Sequence, residues 1–471
     1  MTDARSPSLS VEDRRVAMRE AWKRMQEGEL ERRNTRDALV SIAMAHANDE
    51  QLRVEALRLL FSDEDPSADE ANERVAVDML PHEPSAEIVR FLGGTAVDRN
   101  WQETVPSFVR SYTRPSEVYS DLDRPERQIL QLLRPKQSVE QTIFDVFLHP
   151  PQRPEVPGIN WAERTRADAW GLLTRLDNDG SIRASILGSP STGAGSRDDA
   201  VVNALRACWN DLGCVPVTGE ELAWLLSLAQ PDSDHVRWWT QAASAIAGIN
   251  DDRRLALKLY HAEPLRYTAR ARVDRFNQSK TSLLSELRGR INQRSTYRRS
   301  EREQGKQPPA DDRLSTWQDK LAWADVIALM AIDDAISDDD VRKALFSHAE
   351  LDHSDETTEY GGILRPSENA PDTYVSVLYP PRPAHRRGDD VFVASSDMIE
   401  QSDHALAHFH FHVQRWSNRG YAGPSWGDLE YALRHGRICV VFTGISRDEL
   451  DVDVYFPSSE VVDLGSIRRR D

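Results

Sequence analysis

The alternation of histidine and phenylalanine from Ala407 to His412 (AHFHFH) constrains this chain more than any other stretch. Successive side chains of an extended strand point to opposite faces, so His408, His410 and His412 share one face while Phe409 and Phe411 share the other. The aromatic face suits burial and the imidazole face suits a ligand. Same-face neighbours lie about 6–7 Å apart along the backbone, so two rings can converge on one metal ion. A His-x-His strand is thus a two-point clamp for zinc.

Zinc in a hydrolytic site takes three protein ligands and keeps a fourth position for water. Asp428 is the candidate for the third. It lies in Pro424-Ser425-Trp426-Gly427-Asp428, where Pro-Ser reads as a turn or N-cap and Asp428 falls in the first turn of a helix running toward Arg434. Ser425 would then sit beside the metal. Upstream, Glu359 opens a predicted strand that runs straight into a glycine pair, Gly361-Gly362.

Taken together, Glu359, His410, His412, Ser425 and Asp428 resemble the JAB/MPN metalloproteases and their JAMM motif, Glu…His-x-His…Ser-x-x-Asp. The resemblance covers about the last quarter of the chain. Two features depart from the family pattern. Residues 413–424 form a longer spacer between His412 and Ser425, and Val413 stands where a proline commonly follows the second histidine. The resemblance implies Zn2+ held by His410, His412 and Asp428. It implies Glu359 as general acid and base, and Ser425 hydrogen-bonding an oxyanion or orienting the water. The implied substrate is a protein or peptide, with the C-terminal tail of a ubiquitin-like protein as one option. His408 is left outside the ligand set, as a partner behind the ligands, a pocket-lining group or a surface residue. His353, His385, His404 and His435 lack partner spacing and read as solvated.

The remainder is helical in pattern. Residues 1–262 read as an α-helical, repeat-like region, 263–311 as a basic helical segment and linker, 312–350 as connecting helices, and 351–471 as the JAB/MPN-like domain. The expected fold class is therefore multidomain: an all-α N-terminal region, either HEAT-like or an irregular bundle, followed by an α/β domain with a mixed sheet flanked by helices. Leu52, Val54, Ala56, Leu57, Leu59 and Leu60 recur at helical spacing, and Pro, Asp and Asn punctuate the joints. The segment 167–176 echoes that pattern without a strict period. Residues 317–346 return to helix with an apolar stripe. In the last domain, strands are predicted at 359–364, 373–379, 390–394, 405–412, 437–443 and 451–456, with helices at 396–403 and 425–435.

A formal charge of −18 over 471 residues disfavours general nucleic-acid binding. Segment 266–306 is the exception, with twelve Arg and Lys against four Asp and Glu. Nucleic-acid contact, a solvated helix and an internal match to an acidic surface are its three readings. The Gly-Ser-rich stretch 188–195 has no following Gly-Lys-Ser/Thr and reads as a loop; 304–311 reads as a linker. Three cysteines without a Cys-x-x-Cys pair suit a reducing compartment. No signal-like or membrane-spanning apolar run is present, so the expectation is a cytoplasmic protein. The leading functional expectation is a zinc-dependent peptidase or isopeptidase whose helical region recruits substrate or a protein partner. The competing expectations are a catalytically inactive JAB-like scaffold and a nuclease or nucleic-acid adaptor built on the basic segment.

Overall fold

The computed structural model describes every residue except 1, 7, 64, 117, 153–159, 189–198, 302–309, 368–369, 371–372 and 471. Of the loop at 188–195 only Gly188 is described, and of the linker at 304–311 only Ala310 and Asp311. The chain forms two compact units, one made essentially of Met1–Ile186 and the other of Ser196–Asp471.

The first unit is wholly helical among its described residues. Its helices begin where the sequence supplies a capping oxygen: Asp49 accepts from Gln51 N–H ahead of Glu50–Phe61, and Asp65 accepts from Ser67 N–H ahead of Pro66–Met79. Ser138 forms a reciprocal capping box with Gln141 ahead of Val139–Leu148. Such caps each contribute about 1 kcal/mol. The helix Arg32–Met44 packs on Glu50–Phe61, and Val139–Leu148 packs on Trp161–Leu176. Leu52, Ala56, Leu57 and Leu60 are completely buried. Arg53 is buried with them. It donates through Nε to Ala43 O at 2.7 Å and faces the equally buried Glu83.

The second unit combines helices from Ala200 to His353 with one seven-stranded sheet. The apolar run read at 317–346 is interrupted and becomes three helices, Leu314–Trp317, Trp323–Ser337 and Asp339–His353. Asp338 ends the second and caps the third, accepting from Asp340 and Val341 N–H. Trp323–Ser337 is buried almost all round, as expected of a helix apolar on every face. Its two buried acids are answered locally. His261 Nε2 lies 2.7 Å from Asp325, and Arg290 Nη1 lies 2.7 Å from Asp333. The same holds along the basic segment, where Arg266 pairs with Glu263, Arg275 with Glu286 and Asp334, and Arg298 with Asp312. Much of its positive charge is therefore matched within the unit.

The strands are β1 (Gly361–Pro366), β2 (Tyr374–Leu378), β3 (Ala407–His412), β4 (Cys439–Ser446), β5 (Glu449–Tyr455), β6 (Val461–Asp463) and β7 (Ile467–Arg468). Their order is β2-β1-β3-β4-β5-β6, with β7 also on β5. All pairs are antiparallel except β3 with β4. A parallel pair needs a crossover connection, and this one is the loop after His412 followed by the helix Trp426–His435. The predicted strand at 390–394 does not form. Phe392 instead stacks on the His410 ring, 5.4 Å between centroids, and packing against that ring takes precedence over pairing.

Register assigns the two faces. His408 is level with Cys439, Tyr455 and Val461; His410 with Val441, Asp453 and Asp463; His412 with Thr443 and Asp451. The Trp426–His435 helix covers this face through Leu429 and Ala432, which pack with Cys439, Val441, Tyr455 and Val461. Phe409, Phe411 and Phe442 occupy the opposite face, fully buried and edge-on or tilted to one another. Among the described residues no helix is long and apolar enough to cross a membrane.

Candidate metal centre

The crossover explains why distant residues meet. A chain leaving the C-terminal end of β3 and returning parallel in β4 must start its crossover helix near that end. The first turn of Trp426–His435 therefore faces His410 and His412. Ser425 is the N-cap of this helix: its Oγ accepts from Asp428 N–H at 3.2 Å, and its own N–H donates to Asp428 Oδ2 at 2.6 Å. This capping box fixes the Asp428 carboxylate in the helix's first turn.

His410 Nε2 lies 3.3 Å from His412 Nε2 and 3.2 Å from Asp428 Oδ1, and His412 Nε2 lies 3.6 Å from Asp428 Oδ2. Ligand atoms around one tetrahedral ion with bonds near 2.0–2.1 Å stand about 3.3–3.4 Å apart. The three groups thus have the spacing of donors aimed at a common ion. Glu359 joins them, with one ligand atom each of Glu359, His410 and His412 lying within 4.8 Å of one another. Glu359 is 3 %, His410 2 % and His412 7 % exposed. The Asp428 side chain keeps 14 % exposure, which marks the open side of the cluster.

A backbone partner lies behind the His412 ring. His412 Nδ1 lies 3.2 Å from the Tyr421 carbonyl, so Nδ1 carries the hydrogen and Nε2 presents its lone pair. Burial also pushes the His412 imidazole below its usual range, which favours the neutral ring a metal requires. Burial alone would raise the Asp428 carboxyl, but the two imidazoles overcome it and hold the group well below the usual carboxylate range. Glu359 is pushed well above that range by burial, reinforced by Asp428 and opposed by Gln414.

Gln414, Asn418 and Phe392 escaped the sequence reading. Gln414 Nε2 donates to Glu359 Oε1 at 2.6 Å, while Asn418 Nδ2 donates to Gln414 Oε1 at 2.8 Å and to His412 O at 3.1 Å. The long spacer 413–424 is therefore integrated with the cluster. The available signal was two amide side chains four residues apart, directly after the histidine strand. The glycine pair also has a geometric cause. A Cβ on Gly361 would stand 2.2 Å from the Phe392 ring, and one on Gly362 would stand 2.0 Å from Val377 O.

His408 points away from this group to the Tyr431 hydroxyl, 2.9 Å from its Nδ1. His353 bonds to Val413 O at 2.7 Å through Nδ1. His404, read as solvated, instead stacks on Trp238 at 5.4 Å, and burial lowers its pKa to about 4. It lines a cavity of about 600 Å³ with Asp232, His235, Arg266 and Arg365, which shares no lining residue with the histidine–aspartate cluster. All three cysteines are free and buried, with Cys208 and Cys214 Sγ 3.6 Å apart.

Comparison of the chain with protein-family models, with curated proteins and with solved structures finds no match in any of the three.

Proposed function

We propose that the second unit is a JAB/MPN-type zinc peptidase or isopeptidase, hydrolysing a peptide or isopeptide bond in a protein substrate. A ubiquitin-like C-terminal tail is one such substrate, and the helical region would recruit substrate or a partner. The observation that carries this reading is the triangle of His410 Nε2, His412 Nε2 and an Asp428 oxygen, with Glu359 beside it. Two imidazoles and one carboxylate are a donor set suited to zinc with an open position. When bound, zinc supplies Lewis acidity that polarises a carbonyl and brings a water's pKa to about 7.

The chain's own residues supply the rest. Glu359 accepts a proton from the attacking water and delivers it to the leaving nitrogen. Burial, reinforced by the Asp428 charge, raises its pKa and so makes the carboxylate a stronger proton acceptor. Gln414 orients it through Oε1. The Ser425 hydroxyl accepts from Asp428 N–H and keeps its own hydrogen for donation to the oxygen where charge develops. Burial of Glu359 and His410 keeps bulk water from competing at the cluster.

Elemental mass spectrometry of freshly purified protein tests the metal assignment. About one zinc per chain is expected in wild type, and it should be lost in His410→Ala/His412→Ala and in Asp428→Ala. Glu359→Gln should retain zinc and lose hydrolysis of peptide or isopeptide substrates. Full hydrolytic activity in that variant would remove Glu359 from its role. Zinc-free wild type would leave a protein-interaction scaffold as the reading.

A further inference from the structure

A second cluster lies on the same sheet face, two strands from the histidines. Asp451 and Asp453 on β5 are completely buried, and Asp463 on β6 is 5 % exposed. Asp453 pairs directly with Asp463 in the ladder, and one carboxylate oxygen from each of the three acids lies within 4.8 Å of the others. Neither oxygen of Asp451 nor of Asp453 has a hydrogen-bond partner. A separate orphan accompanies them. Thr443 Oγ1 is completely buried and unpartnered, and Thr443 is the residue directly opposite Asp451 across β4 and β5. Directly opposed residues share a face, so this hydroxyl lies on the same buried face beside Asp451.

Nearby cations do not account for these oxygens. Arg298 is engaged with Asp312 at 3.2 Å. Arg299 donates to Gly423 O at 3.1 Å and lies over the Tyr421 ring, and its attraction to Asp453 is outweighed by burial and by the other acids. Asp463 accepts backbone N–H bonds from Gly465, at 2.6 Å, and from Tyr297. Buried carboxylates without partners are costly, and such groups are normally paired or coordinate metals. A site of carboxylate and hydroxyl oxygens with no nitrogen or sulfur donor selects a hard cation. Calcium–oxygen bonds of about 2.3–2.6 Å allow oxygens on opposite sides of the ion to stand about 5 Å apart, which matches the cluster.

We propose that Asp451, Asp453, Asp463 and Thr443 form a binding site for a hard divalent cation of the calcium or magnesium class, ligated by oxygen alone. It would tie β4, β5 and β6 together about 9–10 Å from the histidine strand, given two interstrand spacings. The proposal does not rest on the peptidase reading.

Full-length protein stripped with EDTA and titrated with CaCl2 or MgCl2 provides the test, read by thermal unfolding and by calorimetric titration. Wild type should bind about one ion per chain at this site and gain about 3–6 °C in Tm at saturating cation. His410→Ala/His412→Ala should keep that gain, which separates this site from the histidine centre. Asp453→Asn and Asp451→Asn should abolish the gain. Each also removes a charge from a crowded set, so neither should melt below wild type in EDTA. The proposal is overturned if neither cation shifts wild type, if the shift survives in both Asn variants, or if the histidine double variant alone removes it.

Discussion

Gln414 holds Glu359: its Nε2 donates to Oε1 at 2.6 Å, and Asn418 in turn holds Gln414 at 2.8 Å. The longer spacer after the histidine strand thereby orients the carboxylate assigned to proton transfer. Gln414→Ala should leave zinc content unchanged and lower kcat on a peptide substrate by about 10–100-fold, the usual effect of losing a group that orients a site residue. An unchanged kcat in zinc-loaded protein would show that Glu359 is positioned without it.

The glycine pair is a packing requirement. Gly362→Ala would drive a methyl into the Val377 carbonyl, backbone that cannot step aside, and should cost about 3 kcal/mol or more. Gly361→Ala meets the Phe392 ring and also Phe409 O at 2.6 Å, so it disturbs the stack on His410. Chemical denaturation should rank Gly362→Ala as at least as damaging, while metal titration should show weakened binding in Gly361→Ala.

Asp352 gives a pH dependence of defined sign. Burial raises its pKa from 3.8 to about 8, with Asp355 and Asp389 adding repulsion and the Tyr360 N–H opposing. Between those values the folded chain holds a proton that the unfolded chain has released, so this group's contribution to stability falls as pH rises through the window. Asp352→Asn mimics the protonated acid and preserves the acceptor for Tyr360. The variant should gain on wild type progressively from about pH 5 to 8, reaching about 1–3 kcal/mol after allowance for relaxation. Denaturation curves that stay parallel across that range would contradict the shift.

His408 is set apart from the two histidines proposed as ligands. It bonds to Tyr431 and not to the cluster, so His408→Ala should keep about one zinc per chain. The cavity and the stranded Tyr431 hydroxyl should cost about 2–4 kcal/mol. Loss of zinc together with an undiminished Tm would reverse the assignment of His408 and place it among the ligands.

Much of the candidate site was legible because its logic is local. Strand alternation determined that His410 and His412 share a face, and Pro-Ser-x-x-Asp determined a capped helix start with Asp428 in its first turn. The spacing of apolar residues likewise exposed the helices of the first unit, and the shift to alternation exposed the sheet. What resisted reading depends on side chains that meet only after folding. Phe392 sits in a segment that looks like a strand, yet its ring is claimed by Gly361 and His410. The stripe at 317–346 gave no warning that Asp338 would end one helix and cap the next.

The sequence by itself determined which residue types stand at which short spacings, and therefore the histidine face and the capped helix start that carries Asp428. Tertiary structure decided which of these meet. The parallel pairing of β3 with β4 forces a crossover that brings Asp428 to the two imidazoles, and the sheet register aligns Asp453 with Asp463 and Asp451 with Thr443. The reason is physical: periodicity acts over a few residues of chain, whereas register and crossover depend on hydrogen bonds and packing between strands far apart in sequence.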